Sequence, residues 1–193
     1  MGKKANEIVV IWSSPNVDGL TATAKNQIIE GIEKAGAQAE EIHLNRMKLQ
    51  HCVACGNGWG TCRSDGECAL KDSFKEVYVK LVKADGIVFV SAVYYSDMTE
   101  QFKAFIDRLR RCEATKNHFL AEKRCLLVAC AGGTGRGTIE CLGNFELALT
   151  HMGMRAYDRI PVNRFNMPYM LPALKEAGST YADRIENGFD MYY

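Results

Sequence analysis

The sequence predicts a doubly wound α/β fold on a five-stranded parallel sheet in the order 2-1-3-4-5. Three observations carry that reading. Short apolar runs alternate with stretches of helical apolar rhythm along the chain, the pattern of right-handed crossovers with helices on both sheet faces. Two runs, Gly86–Val90 and Cys125–Cys130, are almost continuously apolar, as strands buried on both faces must be. Three runs end in turns rich in Ser, Gly, Asn or Tyr, and the stated order sets those turns side by side at the carboxyl edge, where such sheets bind ligands.

The first strand is Ile8-Val9-Val10-Ile11, too short an apolar run for a helix. It passes into Ser13-Ser14-Pro15-Asn16-Val17-Asp18-Gly19-Leu20-Thr21, a stretch of turn formers. Helical spacing of Ile28, Ile29, Ile32 and Ala35 marks a helix from Gly19 to Lys34, with Gly36 at its stop. Ala37–Leu44 roughly alternates apolar and polar, as an edge strand does. Leu49–Ala69 has no sustained period and reads as an inserted loop. A helix over Asp72–Ala84 places Phe74, Val77, Tyr78, Leu81 and Val82 on one face. After the Gly86–Val90 strand, Asp97 and Glu100 are spaced like a capping box for a helix striped by Met98, Phe102, Phe105, Ile106 and Leu109. Leu142, Phe145, Leu149 and Met152 mark a fourth helix. Met154–Val162 is the last strand, Asn163–Leu171 is irregular, and Pro172–Asn187 is a final helix. The whole of 1–193 is expected to be one domain, with a Cys-rich loop at about 50–69.

The three turns differ in chemistry. The first offers Ser14, Asn16 and Thr21 side chains and the backbone N–H groups around Gly19, Leu20, Thr21 and Ala22. These are neutral donors at the positive end of a helix dipole, suited to a phosphate. G-x-x-x-x-G-K and G-x-G-x-x-G are both absent after this strand, which argues against nucleoside triphosphate and dinucleotide sites. The second turn gives Val93, Tyr94 and Tyr95, flat apolar surfaces for a ring. The third packs four glycines into Gly132–Gly137, among them Gly132 and Gly133, where backbone can approach a flat ligand closely. A phosphate turn, an aromatic turn and a glycine turn at neighbouring strand ends suit FMN. A receiver-type domain would need clustered carboxylates after the first strand, and Ser13-Ser14 stand there instead.

Ser14-Pro15-Asn16…Gly19-Leu20-Thr21, Ala84-Asp85-Gly86-Ile87-Val88…Val93-Tyr94-Tyr95 and Lys103-Ala104-Phe105-Ile106-Asp107-Arg108 together resemble the NAD(P)H-dependent FMN reductases of the flavodoxin-like superfamily. The cysteine-bearing branch that includes iron–sulfur flavoproteins is the most similar. The resemblance covers about the first three-quarters of the chain. It implies FMN, its phosphate held around Ser14, Asn16 and Thr21 and its ring against Val93, Tyr94, Tyr95, Gly132 and Gly133. It implies a flavodoxin-like sheet and a nicotinamide co-substrate whose electrons pass to a quinone, a flavin or a protein acceptor. The alternative is a non-catalytic FMN electron carrier. Ser13 stands where the family usually has Gly, and Ala92 where it usually has Pro.

Eight cysteines are many for 193 residues. Cys52, Cys55, Cys62 and Cys68 follow a C-x2-C-x6-C-x5-C spacing, which leaves free thiols, an iron–sulfur cluster, zinc and redox disulfides all open. The cluster is not the favoured reading, because the family's interval between the second and third cysteines is tighter. Cys112, Cys125, Cys130 and Cys141 read as small buried hydrophobes. His43, His51, His118 and His151 are scattered and read as structural, and Lys103, Asp107, Arg108, Arg110 and Arg111 as a largely solvated helix face or a subunit contact. A net charge of +1 gives no bulk field for nucleic acid or a membrane surface, and no apolar run reaches the length of a span. The expected location is the cytoplasm, since the N-terminus leads into a strand rather than a signal sequence. The apolar stretch Phe165–Leu171 is expected to pair two copies of the chain as a homodimer or higher homo-oligomer.

Overall fold

The computed structural model describes residues 5–114 and 118–189. In chain order the elements are β1 (Glu7–Ser13), α1 (Leu20–Lys34), β2 (Gln38–His43), a single 3₁₀ turn (Leu44–Arg46), α2 (Thr61–Ser64), α3 (Phe74–Lys83), β3 (Gly86–Tyr94), β4 (Asp97–Met98), α4 (Glu100–Glu113), β5 (Arg124–Ala131), α5 (Thr138–Thr150), β6 (Arg155–Asn163) and α6 (Met167–Asn187). The main path of the sheet runs β2-β1-β3-β5-β6, every pair parallel, and the two-residue β4 pairs antiparallel with the end of β3. Counting the five parallel strands alone, this is the expected order 2-1-3-4-5.

Side-chain alternation divides the core in two. Val9, Ile11, Ile87, Phe89 and Leu127 face α3, α4 and α5, where they meet Phe74, Leu81, Phe102, Phe105 and Phe145. Ile8, Val10, Trp12, Val88, Val90 and Val128 face α1 and α6 and meet Ile28, Ile32, Leu174 and Tyr181. Tyr181 is fully buried, so its hydroxyl must be satisfied inside. It accepts from the Ile87 N–H at 2.8 Å and donates to the Arg124 carbonyl at 2.7 Å. A β-carbon on Gly86 would lie 2.9 Å from that hydroxyl, so glycine at the foot of β3 leaves room for it.

Three expectations are corrected. Asp97 does not cap α4. It lies in β4 opposite Tyr94, and Thr99 is the cap, its hydroxyl accepting from the Phe102 N–H. A hydroxyl two residues on competes better because Asp97 is already engaged in a strand pair and with the Met98 N–H. Asn163–Leu171 is not irregular throughout: α6 begins at Met167, with Pro168 in its first turn and Pro172 inside it. Proline favours the first turn of a helix, so Pro172 mimics a helix start. Here the helix begins five residues earlier, and the missing N–H of Pro172 falls only in the second turn. The Cys-rich loop contains one short helix, α2, that its composition did not announce.

Candidate functional site at the carboxyl edge of the sheet

Register sets the three turns at one level. Ser13 pairs with Ser91, and Ser91 with Ala129. Beneath them hydroxyls replace the apolar core. Ser13 donates to Asn45 Oδ1 at 2.8 Å and shares a hydrogen bond with the Thr99 hydroxyl, while Ser91 Oγ accepts from the Thr99 N–H at 3.1 Å. Ser13, where the family usually has glycine, therefore ties β1 to the start of α4.

In the first turn Ser14 is buried and Asn16 exposed, and the Asn16 N–H donates to Ser14 Oγ at 3.3 Å. That bond uses an acceptor lone pair and leaves the Ser14 proton free to donate. Gly19 is the N-cap of α1, no side chain caps the helix, and its first turn contains no acid. The opening N–H groups at Leu20, Thr21 and Ala22 thus have no intrahelical acceptor, the condition for anion binding. Thr21 is 5% exposed and its hydroxyl bonds the Cys130 thiol at the end of β5.

In the second turn Val93 is half-buried, Tyr94 is 46% exposed and Tyr95 fully exposed. Tyr95 and Ser96 join β3 to β4 with φ of 47° and 65°, a two-residue link of the type I′ kind that favours Asn and Gly. Ser96→Gly is therefore expected to stabilise the protein by roughly 0.5–1 kcal/mol, since relief of left-handed strain exceeds the added unfolded-state entropy. Urea unfolding that shows no gain would mean Ser96 carries no strain.

The third turn holds Gly132 and Gly133 exposed, with open space where each β-carbon would project. Gly137 touches the second turn. Its φ is 85° and an added β-carbon would sit 2.8 Å from Ser96 Cα, so only glycine serves there. Gly135 abuts Asn163 and Phe165, which brings in a fourth turn, at the start of the segment expected to be irregular. There Asn163 Oδ1 accepts from the N–H groups of Phe165 and Asn166 at 2.9 and 3.0 Å.

A family model described as NADPH-dependent FMN reductase matches residues 6–164. The chain belongs to this family. An iron–sulfur flavoprotein of Archaeoglobus fulgidus is 32% identical over 101 residues, 52% of this chain and 44% of that protein. One of Methanocaldococcus jannaschii is 31% identical over 130 residues, 67% of this chain and 63% of that protein. The chain thus aligns with about half the length of these curated relatives. A solved NAD(P)H:quinone oxidoreductase from Methanothermobacter marburgensis superposes with a TM-score of 0.72 at 16% identity, covering 98% of this chain and all of that one. A WrbA-like flavodoxin from Agrobacterium tumefaciens superposes at 0.65, with 16% identity, 96% of this chain covered and all of that one. These likenesses establish the flavodoxin-like fold.

In this FMN reductase family member the α1 N-terminus, its hydroxyls, the aromatic turn and the open glycines fit a flat phosphorylated cofactor. The cysteine loop is held from below by α4. Arg108 is 1% exposed and makes a bidentate pair with Asp72 at 2.7 and 2.8 Å, while its Nη1 also donates to the Gln50 carbonyl. Arg111 donates to the Gly58 carbonyl and stacks over Trp59 at 4.7 Å. Both arginines were expected on a mostly solvated face. They are instead turned inward, because the loop covers that face, and only Lys103 and Asp107 form an exposed pair on it. Cys52, Cys55, Cys62 and Cys68 line one cavity of about 20 Å³ together with Arg108 and Arg111. That space is of the order of one water molecule, and among the described residues no three Cys, His, Asp or Glu side chains are grouped to hold a metal. The remaining cysteines are buried, as expected. Burial pushes the Cys112, Cys130 and Cys141 thiols up to about 12, which leaves them inert at neutral pH. No helix among the described residues is long and apolar enough to cross a membrane.

Proposed function

We propose that this chain is an FMN-dependent NAD(P)H oxidoreductase that passes reducing equivalents to a quinone, a flavin or a protein acceptor. The observation that carries the reading is the uncapped, acid-free N-terminus of α1 set level with an aromatic turn and a glycine turn. Ser14, Asn16 and Thr21, with the N–H groups at Gly19, Leu20, Thr21 and Ala22, would hold the phosphate. Val93, Tyr94, Tyr95, Gly132 and Gly133 would border the ring. Bound FMN would supply hydride-accepting chemistry; the chain's own part is to position it.

The deciding experiment is anaerobic addition of NADPH or NADH to FMN-loaded protein. Bleaching of the flavin by either is expected. A protein that binds FMN yet is reduced only by a partner protein would be a carrier instead. Asn16→Asp tests the phosphate turn: a carboxylate there should weaken FMN at least about tenfold through like-charge repulsion and leave riboflavin, which has no phosphate, unaffected. Equal FMN affinity in the variant would place the phosphate elsewhere.

The cysteine loop reads as ordered free thiols, supported by its small cavity and the two arginines that wall it. Stoichiometric iron and sulfide in anaerobically purified protein would assign a cluster instead. Phe165, which abuts Gly135, and Met167 and Tyr169 in the first turn of α6 are 64%, 40% and 66% exposed, and we infer that they form a homodimer contact. A monomer mass by light scattering would remove that inference. Described residues 5–114 and 118–189 are read as one FMN-binding domain, and its free thiols suit a reducing, cytoplasmic setting.

A further inference from the structure

The imidazole of His43, at the end of edge strand β2, touches the phosphate turn directly. Its Nε2 lies 2.9 Å from the Ser14 carbonyl oxygen. A carbonyl can only accept, so Nε2 carries the proton and donates. The ring does not reach that position by chance. It stacks on Trp12 with centroids 3.8 Å apart and planes 10° from parallel. Trp12 is 3% exposed and is itself fixed, its indole N–H donating to Glu41 Oε1 at 2.8 Å. Glu41 in turn pairs with Lys25 at 2.9 Å, and the ammonium of this 6%-exposed lysine lies 5.1 Å from the indole centroid. Three side chains, one each from β1, β2 and α1, therefore lock one imidazole against one carbonyl.

The choice of carbonyl matters. The Ser14 peptide precedes Pro15, whose ring fixes the next φ. Anchoring the Ser14 oxygen fixes the torsion immediately before it. The turn is thereby pinned on both sides of a bond that has no N–H of its own, and Ser14 Oγ is left where the Asn16 N–H reaches it.

We infer that His43 is a positioning residue that holds the first turn in the shape that favours a phosphorylated flavin over an unphosphorylated one. This rests on the FMN reading above. His43 touches no atom of the cofactor in this scheme and acts through Ser14. Its contribution falls on the phosphate alone, because the aromatic and glycine turns are built from other strands.

The test is the ratio of FMN to riboflavin affinity, measured by quenching of flavin fluorescence for wild type, His43→Phe and His43→Gln, with a thermal melt of each. Phenylalanine keeps the stack on Trp12 and removes the donor. Glutamine restores a donor of similar reach. His43→Phe is expected to melt cooperatively, to bind FMN about tenfold more weakly and to bind riboflavin as wild type does, the scale set by loss of one part-buried hydrogen bond. His43→Gln is expected to recover most of the FMN affinity. Unchanged FMN binding in His43→Phe overturns the inference, as does equal weakening for both flavins or failure of His43→Gln to recover. Wild-type protein that binds neither flavin defeats the FMN reading itself, a result separable from all of these.

Discussion

Gly31→Ala is expected to be among the most damaging single-methyl additions this protein can suffer. α1 and α6 cross at two glycines. A β-carbon on Gly31 would lie 1.9 Å from the Lys175 carbonyl oxygen, and one on Gly178 would lie 2.4 Å from that of Ile28. Both obstacles are backbone, so no side-chain rotation relieves them and the helices must separate. Separation would open the layer in which Ile28, Ile32, Leu174 and Tyr181 pack against the sheet. Overpacking of this kind costs about 3 kcal/mol, or roughly 10 °C of melting temperature at this chain length. Gly143 is the internal control. It sits within α5 with nothing near its absent β-carbon. Gly143→Ala should gain up to about 1 kcal/mol from helix propensity alone. Equal responses of Gly31 and Gly143 to alanine, measured by urea unfolding, would mean that the α1–α6 contact is looser than the structure shows.

Asp72→Ala should cost a similar amount by a different route. Asp72 and Arg108 are 4% and 1% exposed, and removing one member strands the other charge in the interior. Breaking a buried pair in this way costs about 3–5 kcal/mol. Asp72 also accepts from the N–H groups of Gln50 and Phe74, so its loss frees the start of the cysteine loop as well as α3. Alkylation mapped by mass spectrometry should then show buried Cys62 and Cys112 reacting faster than in wild type. Burial by itself would raise the Asp72 carboxyl, but the Arg108 guanidinium and the two backbone donors outweigh it and hold the group below the usual carboxylate range. Its stabilisation is therefore fully present above the unfolded-state value of about 3.9 and lost as pH falls through the lower folded-state value. Wild type should show a steep acid loss of stability below about pH 4 that Asp72→Ala lacks. An acid limb of equal slope in both would assign that loss to other carboxylates.

The strands and the three turns were legible because local signals and tertiary demands agree there. A run such as Ile8–Ile11 can be accommodated only by burial on both faces, and a turn of Ser, Pro, Asn and Gly can hardly be anything else. Helix ends were less legible. Asp97 and Thr99 both suit a cap, and the choice fell to Thr99 once Asp97 was taken up by a strand pair whose partner comes from the far side of a turn. Arg108 and Arg111 gave no sign of burial, since charge and helical spacing alone describe a solvated face. Only the loop folding over them, with Asp72 and Gln50 as partners, turned them inward.

The sequence alone determined the sheet order, the face each helix buries and which three turns meet at one edge, because those follow from hydrophobic period and from the single handedness of parallel crossovers. Tertiary structure alone decided that His43 reaches Ser14, that Ser13 bonds Thr99 and Asn45, and that Arg108 closes on Asp72. Each of these joins residues 29 or more positions apart, and no local preference along a chain can specify which distant polar group a buried donor will find.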